Sequence, residues 1–278
     1  MQPTNRVTVM GSSYKEGELE QLHIHLYDTL SCTIEVCNRL GLKYFIIAGT
    51  AIGAYFEGDL LAWDDDIDIG MERGDYERFL AEAEIVLPQG YTLQTPLNEP
   101  NTPYYFAKVR KDGTRFEGED EFDLPIHHGI YIDIFPMDRT PDNRFVERLH
   151  RWGVRMLSNA FVATTIPLRD GGAVAKWVVR SFAMMVGKSR LYRWLAALQG
   201  AFTDCDTKYI NIVKMPRDHI ERSTVNPPEL VNLGTMMVYA PHNLKQYLEW
   251  HYPRLRRVIP IEEQVNHAPI RLNFNGDE

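Results

Sequence analysis

The chain has 278 residues, 44% apolar and 24% charged, with a net charge of −8. That length suits one large domain or a core with an appendage, and the negative balance argues against general nucleic-acid binding, where a basic patch is the expected footprint. Three cysteines, Cys32, Cys37 and Cys205, are too sparse for a disulfide framework or a zinc spacing and fit a reducing compartment.

The first fifteen residues are polar, so no signal peptide is expected, and no stretch reaches the roughly 18 apolar residues of a spanning helix. Both point to a cytoplasmic protein. Leu19, Leu22, Leu26, Leu30, Ile34 and Cys37 recur at helical spacing over 17–40, and Gly41 stops that helix. "KYFIIAG" is a short apolar run of strand length ending at Gly49, and a short helix or turn follows. Residues 73–87 form a helix with Tyr76, Phe79, Leu80 and Ala83 on one face. "YYFAKVR" and "GIYIDIF" are expected strands. After Pro141 helices are expected over 142–164, 173–187 and 189–202, broken by Pro167 and Gly171-Gly172, with another near 242–251. The expected fold is α/β: an N-terminal helix (1–40) packed on a core (41–138), and a mainly helical C-terminal region (139–278).

"LAWDDDIDIG" (61–70) puts four carboxylates among β-branched residues. On a strand, side chains alternate. Asp66 and Asp68 then share one face while Ile67 and Ile69 enter the core. Asp64 has the same parity, and Asp65 points away. A solvated acidic turn would leave the isoleucines unexplained. Clustered carboxylates repel unless neutralised, and Mg²⁺ takes oxygen ligands of this kind. In "GIYIDIF", Asp133 shares a face with Tyr131 and Phe135 and would complete a three-carboxylate site for displacement at phosphorus. Gly49-Thr50, between strand and helix, offers backbone N–H groups and a hydroxyl to a phosphate. The stretch is no EF-hand, because loop positions six and twelve hold Ile69 and Asp75.

"YFIIAGTAIGAYFEGDLLAWDDDIDIGMERGDYERFL" and "HHGIYIDIFPMD" resemble the LicD family, whose relatives include fukutin. "YYFAKVRKDGT" and "VYAPHNLKQYLEWHY" extend the likeness weakly. The resemblance implies a nucleotidyltransferase-like core, a small mixed sheet flanked by helices. It implies Mg²⁺-dependent transfer of a phospho-alcohol, typically phosphocholine, from a CDP-activated donor to a hydroxyl of a cell-surface glycan or its lipopolysaccharide or teichoic-acid precursor, with CMP released. Mn²⁺ is an alternative ion. Gly49 and Thr50 match the family's phosphate-side turn, Asp66 and Asp68 its metal pair, Asp133 its third carboxylate, Trp63 the run before the pair, and Lys108 and Thr114 the block between. The family's Arg-His-x-Gly is Phe56-Glu57-Gly58-Asp59 here, and its Tyr-Gly-Asp-Tyr is Tyr252-Pro253-Arg254-Leu255. The alternative activity is a nucleotidyltransferase that moves NMP from an NTP and releases pyrophosphate.

Lys108 and Arg110 share a strand face and are candidates to hold donor phosphate charge. Arg73 sits at a helix start, where a cation gains nothing from the dipole and invites an anionic partner. Trp63, Tyr104, Tyr105 and Tyr131 could box a quaternary ammonium, with core packing as the alternative. His127 or His128 could be an active-site hydrogen-bonder. Residues 173–202 mix aromatics with basic residues. Packing on the core is the simpler expectation, with peripheral contact at the inner membrane face as the alternative.

Overall fold

The structure is a computed structural model that describes residues 14–168, 172–212, 219–260, 264 and 266–276. Residues 1–13 of the expected polar N-terminus, and Gly171 of the expected Gly171-Gly172 break, lie outside the described residues.

Helix α1 (Glu18–Leu40) buries Leu22, Leu26, Leu30, Val36 and Cys37 along one stripe. It ends at Gly41, whose φ of 63° is the left-handed cap that glycine adopts without a Cβ penalty. Next come β1 (Phe45–Ile46), α2 (Ala48–Phe56), β2 (Asp68–Glu72), α3 (Arg73–Val86), β3 (Tyr91–Gln94), β4 (Ala107–Lys111), β5 (Arg115–Glu117) and β6 (Tyr131–Thr140). The expected seven-residue strand at 43–49 is only two residues long. Ala48 adopts a left-handed φ of 50°, and α2 starts there.

The central sheet runs β1-β2-β6-β4-β3. β2 and β6 are parallel, and the other pairs are antiparallel. The sheet is therefore mixed, and helices flank it. β6 is the longest strand. Its first half sits between β2 and β4, and its far end pairs with β7 (Tyr209–Asn211), which pairs in turn with β8 (Ile220–Glu221). Ile67, Ile69, Ile130, Ile132 and Ile134 are fully buried in the main core.

Three helices follow the sheet: α4 (Arg144–Ala163), α5 (Ala173–Val186) and α6 (Lys188–Gln199). Asn143 caps α4 by accepting from the amides of Phe145 and Val146. A second, smaller core around Phe161, Ala183 and Leu191 holds this bundle together. The C-terminal region is mainly helical as far as Gln199 and mixed beyond it. It then returns to the core through β7 and β8, α7 (Arg222–Val225), the hairpin of β9 (Glu229–Leu233) and β10 (Met236–Ala240), α8 (Leu244–His251) and β11 (Arg271–Asn273), which pairs with β5.

Candidate functional site

Strand register sets the centre of the site. Asp68 on β2 lies opposite Asp133 on β6, and Asp133 lies opposite Lys108 on β4. Residues in register on neighbouring strands share a face and stand about 5 Å apart. The Lys108 ammonium donates to Asp133 Oδ1 at 2.6 Å, with both side chains buried. It also lies 3.3 Å from the centroid of the Tyr131 ring and 4.1 Å from that of Tyr104. Burial pushes the Lys108 pKa down, against the pull of Asp133. Two faces of the expected choline box are thus taken by an internal cation. Tyr105 packs edge-on against Phe106 and Phe161, and Trp63 packs half-buried against the main core.

The acidic run approaches this row as a loop. β2 begins only at Asp68. Ile67 and Ile69 are buried while Asp66 and Asp68 are half-buried, as alternation predicts. Asp65 departs from it. Its carboxylate is buried, accepting from the Tyr14 hydroxyl at 2.8 Å and from the His267 amide at 2.6 Å. Parity fails there because residues 64–67 are not paired as a strand.

The loop's negative charge is poorly balanced. Burial, then Asp65, then Asp133 push the Asp66 pKa up to about 6. Burial, Asp66 and Asp65 raise Asp64 well above the carboxylate range. Among the described residues, Asp64 Oδ2 and Asp65 Oδ1 have no hydrogen-bond partner. One ligand atom each from Asp65, Asp66 and His267 lie within 4.8 Å of one another. Hard oxygen donors with unspent negative charge fit a divalent cation such as Mg²⁺.

Thr50 holds the loop in place: its hydroxyl accepts from the Asp68 amide at 2.9 Å, and the Ile47 amide donates to the Asp68 carbonyl at 3.0 Å. Gly49 lies against Asp64, so a Cβ there would come within 2.5 Å of Asp64 Oδ2. The far end of the chain closes the site. The Tyr247 hydroxyl accepts from the Ala48 amide at 3.4 Å, and the Tyr252 phenol is held protonated first by burial and then by the charges of Asp68, Asp64 and Asp66.

Three expected phosphate-side residues are engaged elsewhere. Arg73 forms a two-pronged bond to buried Asp138, at 2.6 and 2.8 Å, and that carboxylate is the anion its position calls for. Arg110 is fully buried, donating to Glu121 at 2.6 Å, Gln94 at 2.8 Å and the Gly129 carbonyl at 2.9 Å. The Thr114 hydroxyl ties a turn, donating to the Lys111 carbonyl and accepting from the Ile130 amide. Thr114, His127 and His128 line an open cavity of about 540 Å³ whose lining includes none of the row residues. His127 Nδ1 accepts from the Gly129 amide, so its Nε2 donates to Asp112 at 3.0 Å. His128 Nδ1 is 3.5 Å from Glu121, which raises its pKa.

Residues 41–152, the segment that contributes all six strands from β1 to β6, match the model of the LicD/FKTN/FKRP nucleotidyltransferase domain. The chain is also similar to the lipopolysaccharide cholinephosphotransferase LicD of Haemophilus influenzae, 42% identical over 45 residues. That match spans 16% of this chain and 17% of the relative. Asp66, Asp68, Lys108 and Asp133 all lie inside the matched segment, whereas His267, Tyr252 and Tyr14 come from outside it.

Proposed function

We propose that the chain transfers a phospho-alcohol, phosphocholine in the first instance, from a CDP-activated donor to a glycan hydroxyl. The observation that carries this reading is the in-register row Asp68–Asp133–Lys108, with half-buried Asp66 two residues before it. It joins clustered carboxylates to a fixed cation on one face of a mixed sheet. The LicD domain model and the similarity to a cholinephosphotransferase support the same reaction class.

Asp66, which stands both in the Asp65–Asp66–His267 cluster and beside the in-register row, would hold Mg²⁺ with Asp68 and Asp133. Once bound, the ion supplies neutralisation of the donor's phosphate charge. The chain's own groups do the rest. Lys108 fixes Asp133 from behind, so its carboxylate cannot turn away. The acceptor oxygen forms a bond to the phosphorus that carries the alcohol, the bond from that phosphorus to the CMP oxygen breaks, and CMP leaves. The acceptor proton passes to Asp133. Thr50 keeps the Asp68 backbone in place, and Asp64 against Gly49 shapes the phosphate-side turn.

The test is CMP release by the purified chain from CDP-choline, CDP-ethanolamine, CDP-ribitol and CDP-glycerol, with a pool of sugar acceptors, in Mg²⁺ or in EDTA. Metal-dependent CMP from one donor is expected, and its loss in Asp66→Asn. The nucleotidyltransferase character of the domain favours a second reading, in which pyrophosphate leaves an NTP instead. Pyrophosphate without CMP would select it.

A further inference from the structure

The three-helix bundle beyond the sheet of the matched segment presents an apolar surface that the described residues leave uncovered. On α4, Phe145, Leu149, Trp152 and Met156 fall at helical spacing and are all exposed, Trp152 at 64%. Arg144, Arg148, Arg151 and Arg155 repeat with the same spacing one step round the helix, and all four are exposed. Helix α5 is barer still. Only Ala183 is buried, while Val174, Trp177, Val178, Phe182, Met184 and Met185 are exposed, Met185 at 76%. Between the end of α4 and α5 lies an apolar groove of about 120 Å³, lined by Ile166, Pro167, Leu168 and Trp177 with Lys176 and Arg180 beside them. Exposed apolar side chains concentrated on two neighbouring helices mark an interaction surface more often than a bare solvent face.

Charge identifies the occupant. Residues 144–199 carry ten arginines and lysines against two acidic side chains, in a chain whose net charge is −8. The rest of the molecule is therefore strongly acidic. An anionic plane would attract the bundle and repel the remainder, orienting the protein with the bundle down. A symmetric pairing of two copies through α4 would instead set one arginine row against the other. Apolar stripes with Trp and Phe, edged by arginine, are the pattern of helices that lie in a bilayer interface. Among the described residues no helix is long and apolar enough to cross a membrane, so these helices would lie in its surface.

We infer that α4 and α5 form an interfacial membrane-binding element, selective for bilayers with anionic headgroups. It would hold the carboxylate site beside a membrane. The inference does not depend on which group the site transfers.

The test is flotation of the full-length chain with vesicles of phosphatidylglycerol and phosphatidylcholine, against vesicles of phosphatidylcholine alone, with tryptophan emission read in parallel. The expected result is at least a tenfold preference for the anionic vesicles, a blue shift on binding, and weakening as salt rises. Trp177→Glu with Phe182→Glu should abolish flotation, and Arg148→Glu with Arg155→Glu should weaken it about tenfold. All four side chains are exposed, so each variant should keep the wild-type circular dichroism and melting temperature. Absence of flotation by the folded wild type, equal flotation on neutral vesicles, or flotation unchanged in the variants would each overturn the inference. So would a dimer in light scattering that Trp177→Glu converts to monomer, which would give the face to a second copy.

Discussion

Asp68 and Asp133 stand opposite each other on adjacent parallel strands, and the buried Lys108 ammonium donates to Asp133. The two carboxylates should therefore fail differently. Asp68 is half-buried and Asp133 buried, so Asp68→Asn should lower CMP release at least a hundredfold and lower the melting temperature less than Asp133→Asn does. Asp133→Asn should cost the same activity and also leave Lys108 as a buried ammonium without its counterion. Breaking such a pair from one side typically costs about 3–5 kcal/mol. Thermal melts of both variants beside the activity assay check this, and equal melting temperatures would contradict it.

A double substitution separates the two effects. Lys108→Met alone should also destabilise, because Asp133 would then face Asp66 with no cation between them. Lys108→Met with Asp133→Asn removes both charges and should recover most of the lost stability. It should recover no CMP release. The coupling energy in this cycle is expected at about 1–3 kcal/mol, the range for groups in one network. An additive cycle would mean that the 2.6 Å contact carries no net energy.

Arg73 tests whether a cation near the motif belongs to the chemistry. Its guanidinium is committed to Asp138 through two bonds inside the protein. Lysine cannot reproduce that fork. Arg73→Lys should lower stability by about 1.5–3 kcal/mol, the range for a lost hydrogen bond to a charged group, and leave KM for the donor unchanged. A raised KM with an unchanged melting temperature would move Arg73 back to the phosphate side.

Much of this architecture can be read from residue spacing. The apolar periods of α1, α3 and α4–α6 predict those helices to within a few residues. The isoleucine alternation around Asp66 and Asp68 correctly sends Ile67 and Ile69 into the core and leaves both aspartates half-buried, whereas Asp133 is itself buried. What spacing does not reveal is pairing over distance. Lys108 meets Asp133 through a strand register, and Arg73 meets Asp138 across 65 positions. His267 reaches Asp65 across 202, with nothing local to mark it. β1, β7 and β8 have two or three residues each, too few to show a period. The parity argument misplaced Asp65 because it assumed a strand where the chain is still a loop.

The two glycines of the Gly-Thr-Ala-Ile-Gly turn should behave differently. A Cβ on Gly53 would lie 2.4 Å from the Asp59 carbonyl oxygen and 2.9 Å from the Leu61 nitrogen, both backbone atoms. Neither can move without shifting the loop that leads to the aspartates. Gly53→Ala should cost about 1–3 kcal/mol or more, as overpacking does. At Gly49 the Cβ would meet the end of the Asp64 side chain, which can turn. Gly49→Ala should fold nearly as well and lose activity, since the displaced carboxylate enters the acidic cluster. Melting curves and CMP release for the two variants should rank them in opposite orders.

Two buried groups should each withdraw stability towards acid, and His251 acts in the higher pH window. His251 is buried against the Tyr247 ring, with neither ring nitrogen hydrogen-bonded among the described residues. Burial alone lowers its pKa from 6.5 to about 4. The unfolded chain therefore binds a proton here that the folded chain refuses. The stability is fully present above pH 6.5 and is lost as the pH falls towards 4. At about 1.4 kcal/mol per unit the loss is roughly 3 kcal/mol. The lower window belongs to Glu121. Burial would raise its pKa, but Arg110 and His128 outweigh that and hold it at about 2 against an ordinary 4.5. Its contribution is lost below pH 4.5. Urea unfolding from pH 7 to pH 3 should be read as the difference between the wild type and His251→Phe, because Asp66, its pKa raised to about 6, gains stability over the same window. In His251→Phe the decline between pH 6.5 and 4 should flatten, while the drop below 4.5 should remain. An unchanged upper window would mean that His251 already accepts a proton in the folded state.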